Sequence, residues 1–130
     1  MEVGRIGGTT MAQGWYAFDL DGTLEVYTTW QGASHIGEPV MPMVERVNKL
    51  LSEGKIVKIL TARVNPKDAS APVAKEAIAA WTKKVFGVEL ESTCEKDHGM
   101  VELYDDRAVA IKCNTGIPWL NPGRHWEVYK

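Results

Sequence analysis

The chain has 130 residues, 45% of them hydrophobic and 25% charged, with a formal net charge of -2 and a sequence pI of about 5.9. This is ordinary globular composition for one domain; it excludes a disordered or fibrous chain and gives no basic stripe for wrapping nucleic acid. No apolar run approaches the roughly 20 residues that cross a bilayer, so a cytoplasmic location without a membrane partner is expected.

Residues 1–13 carry one Arg and no apolar stretch of the kind a secretory signal needs, and "GRIGG" lacks the Lys-Ser/Thr ending of a phosphate loop. They are set aside as an N-terminal extension, native or left over from expression, and residues 14–130 are read as a single domain. Trp15 to Leu20 is predicted as the first strand. The segment "EVYTTWQGASHIGEPVMP" that follows, bounded by Gly and Pro, reads as loop. Met43, Val44, Val47, Leu50 and Leu51 then recur at helical spacing, and Gly54 stops that helix. "KIVKIL" is a second strand that ends at Thr61. Ala69, Val73, Ala77, Trp81 and Val85 predict the buried face of a second helix, closed by Gly87. "VEL" at 88–90 and "MVELY" at 100–104 read as further strands, and "AVAIK" and "HWEVY" as candidates to extend the sheet. Strands alternating with helices argue for an α/β fold: a Rossmann-like parallel sheet flanked by helices.

Ligands of such sheets bind beyond the carboxyl ends of the strands. That rule brings Asp19 and Asp21, Thr61, and Asp105 and Asp106 to one rim. If the chain stays extended from Asp19 to Asp21, both side chains point the same way. Carboxylates gathered so closely repel unless a cation compensates, and an all-oxygen cluster suits magnesium. Cys94 and Cys113 are too few and too isolated for zinc and read as reduced thiols. His35, His98 and His125 lack ligand spacing. Trp15, Trp81, Trp119 and Trp126 read as core or edge packing, whereas Trp30 lies in the loop beside the site. Lys75, Lys83, Lys84 and Lys112 read as solvated.

"FDLDGTL", "ILTAR", "CEKD" and "LYDDRAV", in that order, resemble the four motifs of the haloacid dehalogenase superfamily. The resemblance covers residues 15 to about 116. It implies a magnesium-dependent phosphatase that hydrolyses phosphate monoesters through an aspartyl-phosphate. Carried over residue by residue, Asp19 is the nucleophile and a metal ligand. Asp21 is the general acid and base, and it lends its backbone carbonyl to the metal. Thr61 binds a phosphoryl oxygen, and Lys96 screens the charges of Asp19 and phosphate. Asp105 binds the metal, with Asp106 orienting its waters. Asp21 is then expected to have a raised pKa, so that it can protonate the leaving alkoxide. Arg63 and Arg107 directly follow motif residues, and either binds substrate or braces the acids.

A response-regulator receiver gathers similar residue types, but with its paired acids before the phosphorylated Asp, the reverse of the order here. A non-catalytic phosphate- and magnesium-binding module on the same fold is the alternative reading. Neither insertion point holds a cap domain, so the chain resembles the short capless phosphatases found among phage and prophage proteins. An open site admits bulky substrates, or takes a neighbouring subunit as its lid in a homo-oligomer. Tyr27, Trp30, Gln31 and His35 are left to set specificity, with Arg63 as a further substrate-binding candidate. The expected partners are a phosphorylated small molecule or nucleotide, or short phosphorylated nucleic-acid ends.

Overall fold

A computed structural model describes residues 13–119, together with the backbone of residues 5–6 and 9–10. In the N-terminal extension, β1 (Arg5–Ile6) and β2 (Thr9–Thr10) pair antiparallel. The main body runs β3 (Trp15–Phe18), α1 (Met41–Ser52), β4 (Ile56–Leu60), α2 (Ala71–Phe86), β5 (Ser92–Thr93) and β6 (Met100–Tyr104). These last four strands form one parallel sheet in the order β5-β4-β3-β6. The architecture is α/β, and among the described residues no helix is long and apolar enough to cross a membrane.

The chain winds outward from β3 through β4 to β5, then returns to the opposite side of β3 for β6. That reversal opens a crevice between the carboxyl ends of β3 and β6. One sheet face carries Phe18, Val57 and Ile59, which are buried with Leu20, Val47, Ala74 and Ile78 in a single core. Phe18 stacks on Tyr104 with ring centroids 4.4 Å apart, which fixes β6 against β3. Such a pair adds about 0.5–1.5 kcal/mol beyond its buried area.

Helix α1 forms as its spacing predicts, with Val44 and Val47 buried and Met43, Leu50 and Leu51 packed against the core. Its proline lies in the first turn, where no N–H is required. Helix α2 is capped by Gly87, whose left-handed φ of 81° lets its N–H reach the Lys83 carbonyl. Its buried face differs from the expected one. Ala71, Ala74, Ile78 and Thr82 point inward, while Val73 is 50% exposed. Thr82 explains the shift. Its hydroxyl donates to the Ala79 carbonyl and accepts the Leu90 N–H at 3.0 Å, so a polar residue completes the buried stripe.

Other expectations need correction. The third strand of the sheet is Ser92–Thr93 rather than residues 88–90, because Leu90 turns its N–H back to Thr82. Residues 108–112 add no strand to the sheet: Ile111 makes only an isolated bridge to Pro118. Trp119 is 64% exposed, with the Lys112 ammonium 5.1 Å from its ring centroid. Trp15 and Trp81 pack as expected, Trp15 by donating to Asp97 at 2.8 Å and Trp81 edge-on to Phe86. Both cysteines are free thiols. "HWEVY", His125 and Trp126 lie outside the described residues.

The shifted face of α2 is testable by denaturant unfolding. Ile78→Ala is expected to cost about 2–5 kcal/mol, as for buried aliphatic truncation, and Val73→Ala less than about 0.5 kcal/mol. The reverse ranking would restore the face read from spacing.

Candidate functional site

Backbone hydrogen bonds carry the strand ladders one step past their ends and set the rim of the crevice. The Asp19 N–H donates to the Tyr104 carbonyl, and the Thr61 N–H to the Thr93 carbonyl, each at 2.9 Å. Asp19 therefore sits beside the end of β6, where Asp105 and Asp106 follow. Carboxylate oxygens of Asp19, Asp105 and Asp106 lie within 4.8 Å of one another.

This arrangement is pinned by the turn after β3. The Thr23 hydroxyl donates to the Asp106 carboxylate at 3.2 Å and accepts the Asp106 N–H at 3.0 Å. Gly22 has φ 83°, and a Cβ there would lie 2.6 Å from an Asp106 oxygen, so only glycine lets the turn approach the acid. Asp105 in turn accepts the Arg107 N–H at 2.7 Å.

Burial raises the pKa of Asp19 from 3.8 to about 8, helped by the Asp105 charge and by the hydrogen bond and charge of Asp106; the Leu20 N–H opposes the shift. In this state the carboxyl keeps its proton at neutral pH. The donor set is all carboxylate oxygen, and it fits a hard divalent cation whose charge would relieve the repulsion.

Asp21 has the opposite environment, contrary to the raised pKa expected of it. The strand ends at Phe18, and Leu20 turns into the core, where its carbonyl accepts the N–H groups of Thr23, Leu24 and Glu25. Asp21 is not part of the group formed by Asp19, Asp105 and Asp106, although it lines the same cavity. The Asp21 carboxylate takes a bidentate pair from Arg63, with Nη2 at 2.7 Å and Nε at 3.0 Å. Burial alone would raise its pKa, but hydrogen bonds from Arg63 and Glu25 outweigh it and the net shift is downward. The pKa expected above the usual range is held below it.

Arg63 is 8% exposed, and its third donor, Nη1, goes to the His35 carbonyl at 2.7 Å. These are the bonds of a brace on the acid. The Trp30 ring lies 4.8 Å from the guanidinium carbon and is 53% exposed at the mouth of the site. A cavity of about 1030 Å³ brings together Asp19, Asp21, Thr61, Lys96, Trp30 and Tyr27. Thr61, which lines the cavity, accepts the Arg63 N–H at 3.2 Å on its hydroxyl oxygen, which caps the short 3-10 turn Ala62–Val64. Lys96 reaches the same cavity and makes no ion pair among the described residues. Neither the His35 nor the Gln31 side chain lines it; His35 contributes only its carbonyl.

Sequence reasoning missed Thr23 and Glu25. Thr23 had a signal, since a hydroxyl after Gly22 in a turn is free to bond a neighbouring acid. Glu25 had none, because a lone glutamate at the start of a loop has no periodic signature.

The raised pKa of Asp19 carries a signed prediction for metal-free protein. Ionising Asp19 costs more in the folded chain than in the unfolded one, so the penalty is small near pH 4 and complete above about pH 8. Asp19→Asn removes it. The melting-temperature gain of that variant is expected to be smallest near pH 4 and to grow by several degrees towards pH 8. A gain independent of pH would show that carboxylate repulsion is not its source.

Comparisons with family models, with curated proteins and with solved structures return no match for this chain.

Proposed function

We propose that the chain is a magnesium-dependent phosphatase that hydrolyses phosphate monoesters through an aspartyl-phosphate on Asp19, on a capless, Rossmann-like fold of the haloacid dehalogenase type. The observation that carries this reading is the clustering of Asp19 with Asp105 and Asp106 at the carboxyl edge of a parallel sheet, in one cavity with Thr61 and Lys96. Bound magnesium, held by these three acids and the Asp21 carbonyl, would neutralise charge so that one anion can approach another.

The remaining chemistry belongs to the chain. Asp19 attacks phosphorus in line and the ester oxygen leaves, which splits one hydrolysis into two displacements. Thr61 donates its hydroxyl to a phosphoryl oxygen, and Lys96 supplies positive charge between nucleophile and phosphate. Asp21 is held as a carboxylate, the form that takes a proton from water in the second displacement. Protonating an alkoxide in the first requires Asp21 to gain a proton against the pull of Arg63.

The cavity has room for more than inorganic phosphate, and Trp30 presents an exposed ring at its mouth. Nucleotides or short phosphorylated nucleic-acid ends in the cytoplasm fit this arrangement. A non-catalytic module that binds magnesium and phosphate is the alternative, and turnover separates the two.

With magnesium, p-nitrophenyl phosphate is expected to be hydrolysed, and Asp19→Asn to lose several powers of ten in kcat. Activity of that variant within tenfold of native contradicts the mechanism. Because p-nitrophenolate departs without a proton, it should be turned over at least about tenfold faster than an alkyl phosphate, given that acid catalysis contributes about 10²–10⁴-fold. Equal rates would mean that Asp21 is readily protonated despite Arg63.

Trp30→Ala is expected to raise KM for nucleotide phosphates, with a loss of about 1–3 kcal/mol if a base stacks on the ring, and to change small-phosphate hydrolysis little. Equal losses on all substrates would reduce Trp30 to a packing residue of the loop.

A further inference from the structure

Among the described residues, Arg63, Lys96 and Arg107 are the cations that line the cavity, and the mechanism above has a use for only the first two. Arg63 is fully engaged, with Nε and Nη2 on Asp21 and Nη1 on the His35 carbonyl. Lys96 is assigned to the phosphate under attack. Arg107 is exposed, and its guanidinium makes no hydrogen bond or ion pair among the described residues.

The acids around Arg107 do not claim its charge. Asp105 accepts the Arg107 backbone N–H at 2.7 Å, not its guanidinium. Asp21 is paired with Arg63, and Asp68 accepts from the N–H and hydroxyl of Ser70. Asp19, Asp105 and Asp106 form the group that fits a divalent cation. Exposed cations elsewhere on the chain, such as Lys75, stand in solvent, whereas Arg107 is set in the wall of the cavity with its donors unused. The planar fork of an arginine matches a phosphate, which takes two of its N–H groups at once.

Position decides which phosphate this is. Arg107 follows Asp106, whose carboxylate lies against Gly22, the residue after Asp21. Asp21 serves the leaving group in the proposed mechanism, and Trp30 lies over the Arg63 that pairs with it. Arg107 and Trp30 therefore flank the leaving-group side of the cavity. We propose that Arg107 is a specificity-determining residue that binds a second phosphate, carried by the leaving group, so that the preferred substrate is a nucleotide with two separate phosphoryl groups. One is transferred to Asp19, and the other is held by Arg107 while the base rests on Trp30. The cavity, at about 1030 Å³, has room for both. A nucleoside bisphosphate and the terminal nucleotide of a short oligonucleotide share this chemistry, because the phosphodiester of the second stands where the first has its extra phosphate. Cleavage of the first phosphate rests on the phosphatase reading; binding of the second by Arg107 does not.

The test uses the full chain with magnesium and compares adenosine 3′,5′-bisphosphate with the two adenosine monophosphates and with a dinucleotide phosphorylated at the end the chain prefers. The native chain is expected to favour the bisphosphate over either monophosphate by at least about tenfold in kcat/KM, the scale of a hydrogen bond between charged groups, and to lose part of that preference as salt is raised. Arg107→Gln is expected to lose most of the preference, and Arg107→Lys, which keeps the charge without the fork, to retain part of it. An Arg107-dependent preference for the dinucleotide supports the proposal with a nucleic-acid end as the source of the second phosphate, and one for the bisphosphate alone supports it with a free nucleotide as the source. No preference in the native chain, or an Arg107→Gln variant that weakens every substrate equally, overturns the proposal, while turnover of p-nitrophenyl phosphate keeps the phosphatase reading. If no substrate is turned over, titration calorimetry with the same probes reads the preference as a ratio of Kd values. An Arg107-dependent ratio of about tenfold then contradicts the phosphatase reading and leaves the second phosphate site standing, and a ratio near one overturns that site as well.

Discussion

The site is governed by what happens to a carboxylate when its charge is balanced and when it is not. Asp19 and Asp21 are one residue apart, yet burial and two neighbouring acids push Asp19 up to about 8, while Arg63 and Glu25 hold Asp21 below its ordinary range. The divergence originates in the backbone. Leu20 is fully buried between them and starts a tight turn, and the two carboxyl groups meet different partners on the rim of one cavity: Asp105 and Asp106 for Asp19, Arg63 for Asp21. Each then meets a different electrostatic environment. An acid that resists ionisation is a poor nucleophile without a cation, and an acid held ionised is a ready base. The proposed division of labour follows from that difference.

The sheet makes this arrangement precise enough to matter. Parallel pairing of β3 with both β4 and β6 aligns the strand ends that lead into Asp19, Thr61 and Asp105. The cost of gathering acids there is carried by the core beneath, where Phe18 stacks on Tyr104 and Leu20 and Ile59 are fully enclosed. The reciprocal Thr23 and Asp106 bonds then tie the turn after β3 to the end of β6, 83 residues apart in sequence. On the opposite side, Arg63 ties Asp21 to the His35 carbonyl and Glu25 accepts the Gly37 N–H, so the loop of residues 26–39 is fastened beside the cavity.

Where single-sequence reading succeeded and failed has physical causes. The strand before Asp19, helix α1 and the strand before Thr61 were legible because apolar side chains alone define their buried faces. Helix α2 is rich in alanine on several sides, and its inward stripe ends on Thr82, a polar residue that hydrophobic periodicity overlooks. Ser92–Thr93 is a two-residue edge strand with no apolar signal, whereas "AVAIK" alternates without finding a partner strand in the sheet. At the site, the convergence of Asp19, Asp105 and Asp106 followed from strand-end logic. The low pKa of Asp21 did not, since it depends on an arginine 42 residues away and on a glutamate whose burial only the folded loop produces.

The most direct measurement of the central claim is chemical trapping of the acyl phosphate. Borohydride added during magnesium-dependent turnover reduces an aspartyl-phosphate to homoserine, which peptide mass spectrometry locates. The account predicts homoserine at position 19, formed only when both phosphate ester and magnesium are present. Turnover that leaves Asp19 unmodified, or that marks Asp105, Asp106 or Asp21 instead, would contradict it.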